Sequence, residues 1–170
     1  MTEPTAGNHI VVGVDGSDAS VAALRWAVRQ AHSRRADVIA VHAWEWSGAT
    51  LAPYAPASSH PGPAEERLRA EQLLAGAVRS SLGPHVDTPV RAVVVEGSPA
   101  RVLLKHARDA QLLALGRPDH PDQGLPAIGA VTRDCLRHAT VPVVTVPVPR
   151  RHASPPVPSG TAPLAGRGAA

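Results

Sequence analysis

Phenylalanine is absent from this 170-residue chain, and three tryptophans and one tyrosine are its only aromatic residues. A core must therefore come from Val, Leu, Ile and Ala, within a hydrophobic content of 44%. Cysteine occurs once, at Cys135, which excludes an internal disulfide and any CxxC metal or redox pair. A single thiol fits a cytoplasmic setting. No apolar run approaches the roughly 20 residues of a membrane span. The opening MTEPTAGNH lacks a basic region followed by an apolar stretch, so neither membrane insertion nor a signal peptide is expected. Lysine is nearly missing too, Lys105 standing alone among 17 basic residues. A sequence pI near 10.0 would suggest a nucleic-acid partner. However, Arg150, Arg151 and Arg167 in an acid-free tail account for the whole net charge of +3. The neutral body shows no basic face interleaved with aromatics, so nucleic acid is not expected. The G-x-S-x-G, Walker-lysine, G-x-G-x-x-G and H-E-x-x-H patterns do not occur. Nothing brings a nucleophile to a base, so no turnover enzyme is expected.

What is present is a regular alternation. His9 to Val14, HIVVGV, is β-branched and apolar throughout, the signature of a strand buried on both faces. It stops at Asp15-Gly16-Ser17-Asp18, where Ser17 or Asp18 can cap a following helix by accepting an orphan N–H. Val21, Leu24, Val28 and Ala31 then recur at helical spacing to about Arg35, and Asp37 to Trp44 reads as a second strand. Residues 45–62 lose all periodicity and predict a long loop. Helical order resumes at Pro63 with Leu68, Leu73, Leu74, Ala77 and Val78, and ends at Gly83-Pro84. Val90 to Val95 is a third strand. Ser98-Pro99 opens a helix to about Ala110, with proline at the first position, where its missing N–H costs nothing. Gln111 to Leu115 is strand four, Gly129 or Ala130 to His138 the last helix, and Val141 to Val146 the last strand, where Pro142 implies a strand start or an edge.

The order β-α-β-α-β-α-β-α-β requires right-handed crossovers. It predicts a doubly wound, five-stranded parallel α/β sheet with helices on both faces, Rossmann-like or flavodoxin-like. Residues 1–8 form a lead, 9–147 one domain, and 148–170, rich in Pro, Gly and Arg, a disordered tail. Ligands of such sheets sit beyond the carboxyl ends of the strands. Three segments converge there: Gly13 to Ser17, His42-Ala43, and Gly116 to Thr132.

The fragments IVVGVDGS, ALRWAV, VHAW, EGSPARVLLKHA, LLALGR and VTRDCLRHATVPVVTVP together make residues 9–147 resemble the universal stress protein family. In its ATP-binding branch the phosphate loop reads G-x2-G-x9-G-(S/T), glycines letting backbone N–H groups close on phosphates beside a helix N-terminus. The resemblance implies a nucleotide site built from Gly13, Val14, Asp15, Ala43, Gly116, Arg117, Asp119, Gly129, Ala130, Val131 and Thr132. Within it Asp15 would stand at the adenosine end, and backbone near Ala43 would meet adenine. Two positions depart from the pattern: Asp119 replaces the second glycine and Ala130 the hydroxyl residue. A carboxylate about 5 Å from a phosphate charge costs roughly 3 kcal/mol at an effective dielectric near 20. A lost hydrogen bond to a charged group adds roughly 1.5 to 3 kcal/mol. Together these predict binding weakened by about three orders of magnitude, unless Asp119 recruits Mg2+ to bridge the phosphates, or Thr132 or Arg117 supplies the donor.

His42 reads as a rim or core histidine, Cys135 as a small packed group, and His106 with Asp109 as a surface pair on the outer side of a helix. Asp119, His120 and Asp122 read as a solvated loop more than a metal site. Val141, Val143, Val144 and Val146 form an apolar edge strand that can template another chain, and the resemblance implies a homodimer through it. The expected function is stress-related regulation or binding, through a protein partner or an adenine nucleotide, with nucleotide binding weakened or lost. The alternatives are a competent binder of ATP with Mg2+, and a nucleotide hydrolase or transferase of related fold.

Overall fold

The computed structural model describes residues 7–46, 62–82, 88–118 and 128–149. In chain order these form β1 His9–Gly13, α1 Asp18–Arg34, β2 Asp37–Trp44, α2 Pro63–Ser81, β3 Val90–Glu96, α3 Pro99–Ala107, β4 Leu112–Arg117, α4 Ala130–His138 and β5 Val143–Pro147. All strand pairs are parallel, in the order β3-β2-β1-β4-β5. The chain winds outward from β1 to β3, returns across the sheet, and winds outward again through β4 and β5. The reversal lies between β1 and β4, the place where such sheets open a crevice.

Strand alternation divides the apolar residues between two layers. Ile10, Val12, Val38, Ala40, Leu112 and Ala114 face α1 and α2 and pack on Ala23, Leu24, Ala27, Ala31, Leu74 and Ala77. Val11, Ile39, Val41, Leu113 and Leu115 face α3 and α4 and pack on Val102, Leu103, Ala107 and Cys135. Small helix residues stand in for aromatic bulk: alanines let α1 lie close to the sheet, and Ala23, Ala27 and Ala31 are fully buried. The edge strands differ from the three central ones. β3 and β5 are only half-buried in the single chain, Val146 being the buried residue of β5.

Several expected boundaries shift for identifiable reasons. The last strand begins at Val143, not Val141: Pro142 has no N–H to give to a ladder, although its carbonyl still accepts from Leu113 N at 2.9 Å. Val141 therefore precedes the edge strand. α3 ends at Ala107 rather than Ala110, because Arg108 and Asp109 turn the chain into β4. Arg35 lies beyond α1, as a left-handed cap whose N–H bonds back to Ala31 and His32. His106 is half-buried rather than on the outer side of α3, and is joined in no ion pair with Asp109. Residues 1–6 of the 1–8 lead, most of the 45–62 loop, Asp119 with His120 and Asp122, and the tail from Arg150 lie outside the described residues.

Candidate functional site

β1 delivers its carboxyl end to a tight turn. Gly16 takes φ of +85°, which a side chain would resist, and a Cβ there would stand 3.0 Å from Leu73 Cδ1. The turn brings Ser17 back onto Asp15, whose carboxylate accepts from Ser17 N at 3.0 Å and from Ser17 Oγ at 2.6 Å. The same Oγ accepts from Ser20 N at 3.2 Å and caps α1. Ser17 therefore couples the orientation of Asp15 to the start of the helix. Partial burial alone would raise the Asp15 pKa, but the hydrogen bonds from Ser17, with Ser20 adding to them, outweigh it and hold the carboxyl below its ordinary value. Asp15 is thus an ionised, oriented acceptor that remains exposed.

Between this turn and α4 lies a cleft of about 160 Å³. Val41, Leu103, Leu115 and Val131 give it apolar walls, and Asp15, Ser17, Ser20, His42 and Thr132 its polar atoms. A wider hollow of about 620 Å³ continues from it past Gly116 and Pro118 to Gly129, Ala130 and Val148, sharing Asp15, Ser17, Val131 and Thr132. This second part is headed by the first turn of α4, whose N-cap, Gly129, supplies no side-chain acceptor. The opening N–H groups of that helix have no intrahelical partner and form its electropositive end. One end of the combined cleft thus accepts hydrogen bonds and the other donates them, with a greasy slot between.

Of the residues expected at the site, Gly13, Val14, Asp15, Ala43, Gly116, Val131 and Thr132 line the cleft, and Gly129 and Ala130 the hollow. Arg117 lines neither. Alternation along β4 turns it to the face opposite Gly116, where its Nε is buried and finds no hydrogen-bond partner. Gly116 has a further constraint: a Cβ there would fall 2.6 Å from Ser20 N and overlap the Ala19 carbonyl. That glycine is needed to seat β4 against α1, whatever the cleft holds. Gly129 is unconstrained, with nothing within 4 Å of an added Cβ.

Ser17 belongs to the Gly13 to Ser17 segment expected at the cleft and lines it, whereas Ser20 and Leu103 were not legible as site residues, because their sequence signals are those of a helix start and a core position. His42 is half-buried at the rim, as expected, with Nδ1 2.6 Å from the Val14 carbonyl. Cys135 is fully buried, and burial, with Asp134 contributing, pushes its thiol pKa up to about 11. That is the behaviour of a packing residue and not of a nucleophile. Among the described residues no group of His, Cys, Asp or Glu could hold a metal ion, and no helix is long and apolar enough to cross a membrane.

The family model of the universal stress protein family matches residues 7–147. This chain belongs to that family. Universal stress protein Rv2005c of Mycobacterium tuberculosis is 36% identical over 137 residues, covering 79% of this chain and 44% of the relative. A universal stress protein from Archaeoglobus fulgidus superimposes with a TM-score of 0.63 at 25% identity, over 81% of this chain and 96% of that one. A universal stress protein solved in complex with cAMP gives a TM-score of 0.58 at 22% identity, over 85% and 100% of the two chains. The chain spans about half the length of the curated relatives it matches. The universal stress fold here is thus one unit of a size that those relatives exceed about twofold.

Proposed function

We propose that this universal stress domain is a regulatory binding protein whose cleft accepts an adenine nucleotide at its Asp15–Ala43 end and grips a polyphosphate weakly. The observation that carries the reading is the pairing, in one cleft, of an oriented carboxylate and apolar slot with a helix start that carries alanine at position 130. The carboxylate of Asp15 is an acceptor suited to a ribose hydroxyl, and Val41, Leu103 and Leu115 give a flat base an apolar surface. The first turn of α4, with Thr132, would hold phosphate oxygens. Ala130 cannot add the side-chain donor that the family pattern places there. Support comes also from the universal stress protein of the same fold solved with cAMP.

Calorimetry separates the two ends of the site. AMP and Mg-ATP are expected to bind with similar affinity, because the added phosphates gain no net attraction. Mg-ATP binding more than about tenfold tighter than AMP would sink the weakened-grip reading. Asp119→Gly together with Ala130→Ser is expected to restore a preference for ATP. Slow hydrolysis of ATP that disappears in Asp15→Asn would instead favour an enzyme.

We also propose a homodimer through the edge of β5. The half-buried apolar strand and the twofold greater length of the curated relatives support it.

A further inference from the structure

The ladder between β1 and β2 stops just beyond β1, beside a side-chain contact. Val14 N donates to Val41 O at 2.9 Å, the last ladder bond between the two strands. In a parallel ladder the next bond would run from Ala43 N to the Val14 carbonyl. No such bond is present among the described residues. The Val14 carbonyl lies instead 2.6 Å from His42 Nδ1. A carbonyl oxygen can only accept, so Nδ1 carries the proton and donates. The direction in which Ala43 presents its amide follows from the other side of β2. Val38 N donates to Pro89 O, and Gly97 N donates to Trp44 O, so the even-numbered residues of β2 exchange bonds with β3. Odd-numbered Ala43 therefore turns its N–H toward β1, at the level where β1 has bent away into the Asp15 turn. Ala43 is half-buried and lines the cleft.

From this we infer that His42 is a positioning residue: by taking the Val14 carbonyl it keeps Ala43 N–H out of the ladder and open to an acceptor atom on the cleft ligand. A half-buried amide donor needs a partner, and a planar heterocycle lying along Val41 and Leu103 would offer a ring nitrogen at the place of the missing strand. The inference rests on the adenine-nucleotide reading of the cleft for the identity of that acceptor. The arrangement of His42, Val14 and Ala43 stands apart from it. His42 thereby sets which part of the cleft reads a base, while Asp15, one residue beyond Val14, is held at the adjoining wall.

Amide exchange followed by NMR on the full ligand-free chain tests the arrangement, with thermal melts confirming that each variant is folded. In the wild type Ala43 N–H should exchange far faster than the ladder amides of Val12 and Val41. His42→Ala frees the Val14 carbonyl to pair with Ala43, and the Ala43 amide should slow by about tenfold or more. His42→Asn, whose amide nitrogen can reach the place of Nδ1, should leave it fast. An Ala43 amide already protected in the wild type, or unchanged in His42→Ala, overturns the inference. In calorimetry with AMP, His42→Ala should bind about tenfold more weakly and His42→Asn like the wild type. Equal affinity across all three overturns the positioning role. A wild type that binds no AMP, yet shows the expected exchange pattern, overturns the nucleotide reading and leaves the strand-parting role of His42 supported.

Discussion

Two glycines of one loop pattern do different work, and a methyl group tells them apart. At Gly116 a Cβ would run into the backbone of Ala19 and Ser20, which cannot move without shifting the start of α1. Gly116→Ala is therefore expected to cost about 1 to 3 kcal/mol, the usual penalty of overpacking, read as a lowered midpoint in a urea melt. At Gly129 the same methyl meets nothing within 4 Å, so Gly129→Ala should leave the melt unchanged and alter only ligand affinity. A Gly116→Ala chain as stable as the wild type would show that α1 is not seated as described. The sequence makes both glycines visible and cannot rank them, since the contact of Gly116 with Ala19 joins segments almost a hundred residues apart. The same limit hid the bond from His42 to Val14, whereas the Ser17 cap, which is local, could be read from DGSDAS directly.

At the level of elements, α3 joins the two ends of the sheet. Its first residue, Pro99, and Leu103 border the cleft, and His106 near its last turn is half-buried at the opposite end. Burial, then the nearby charges of Lys105, Arg91 and His9, lower the pKa of His106 from its ordinary value of 6.5. The unfolded chain therefore binds this proton more readily than the folded one. Between pH 6.5 and the lower folded value the unfolded state carries more protons, so stability falls as pH drops through that window and levels off below it. Thermal melts should show that acid loss blunted in His106→Gln, with the two chains converging above pH 7. An equally steep decline in both would remove His106 as its source. Periodicity located α3 yet placed His106 on its outer side, because helical spacing alone does not reveal how the helix is set over β1 and β2. Element types and order were legible throughout, since each strand is a short, mainly apolar run and each helix follows a break in that run. Strand order was not, being decided by contacts between β1 and β4.

The described residues form an α/β layer with two unequal edges. β3 carries Arg91 and Glu96 along a half-exposed edge, and charges there discourage pairing with another chain. β5 carries Val143, Val144, Thr145 and Val146 with no charge, and Leu136 on α4 above it is 47% exposed. The uncharged edge is the one a second copy would use, and the pairing would be antiparallel about a two-fold axis, each strand supplying the partner for the other. Val148, immediately beyond β5, lines the hollow at the start of α4, so pairing at this edge would also fix one wall of the site. Light scattering at micromolar concentration should return twice the 17.6 kDa chain mass. Pro142 accepts from Leu113, so even-numbered residues of β5 bond to β4 and the Thr145 N–H points to the open edge. Thr145→Pro, which removes that N–H, should return the single-chain mass. Placing lysine at Val143 should do so by charge repulsion across the axis. A wild type with the mass of one chain would end the dimer proposal, and a dimer that survives both substitutions would move the interface away from β5.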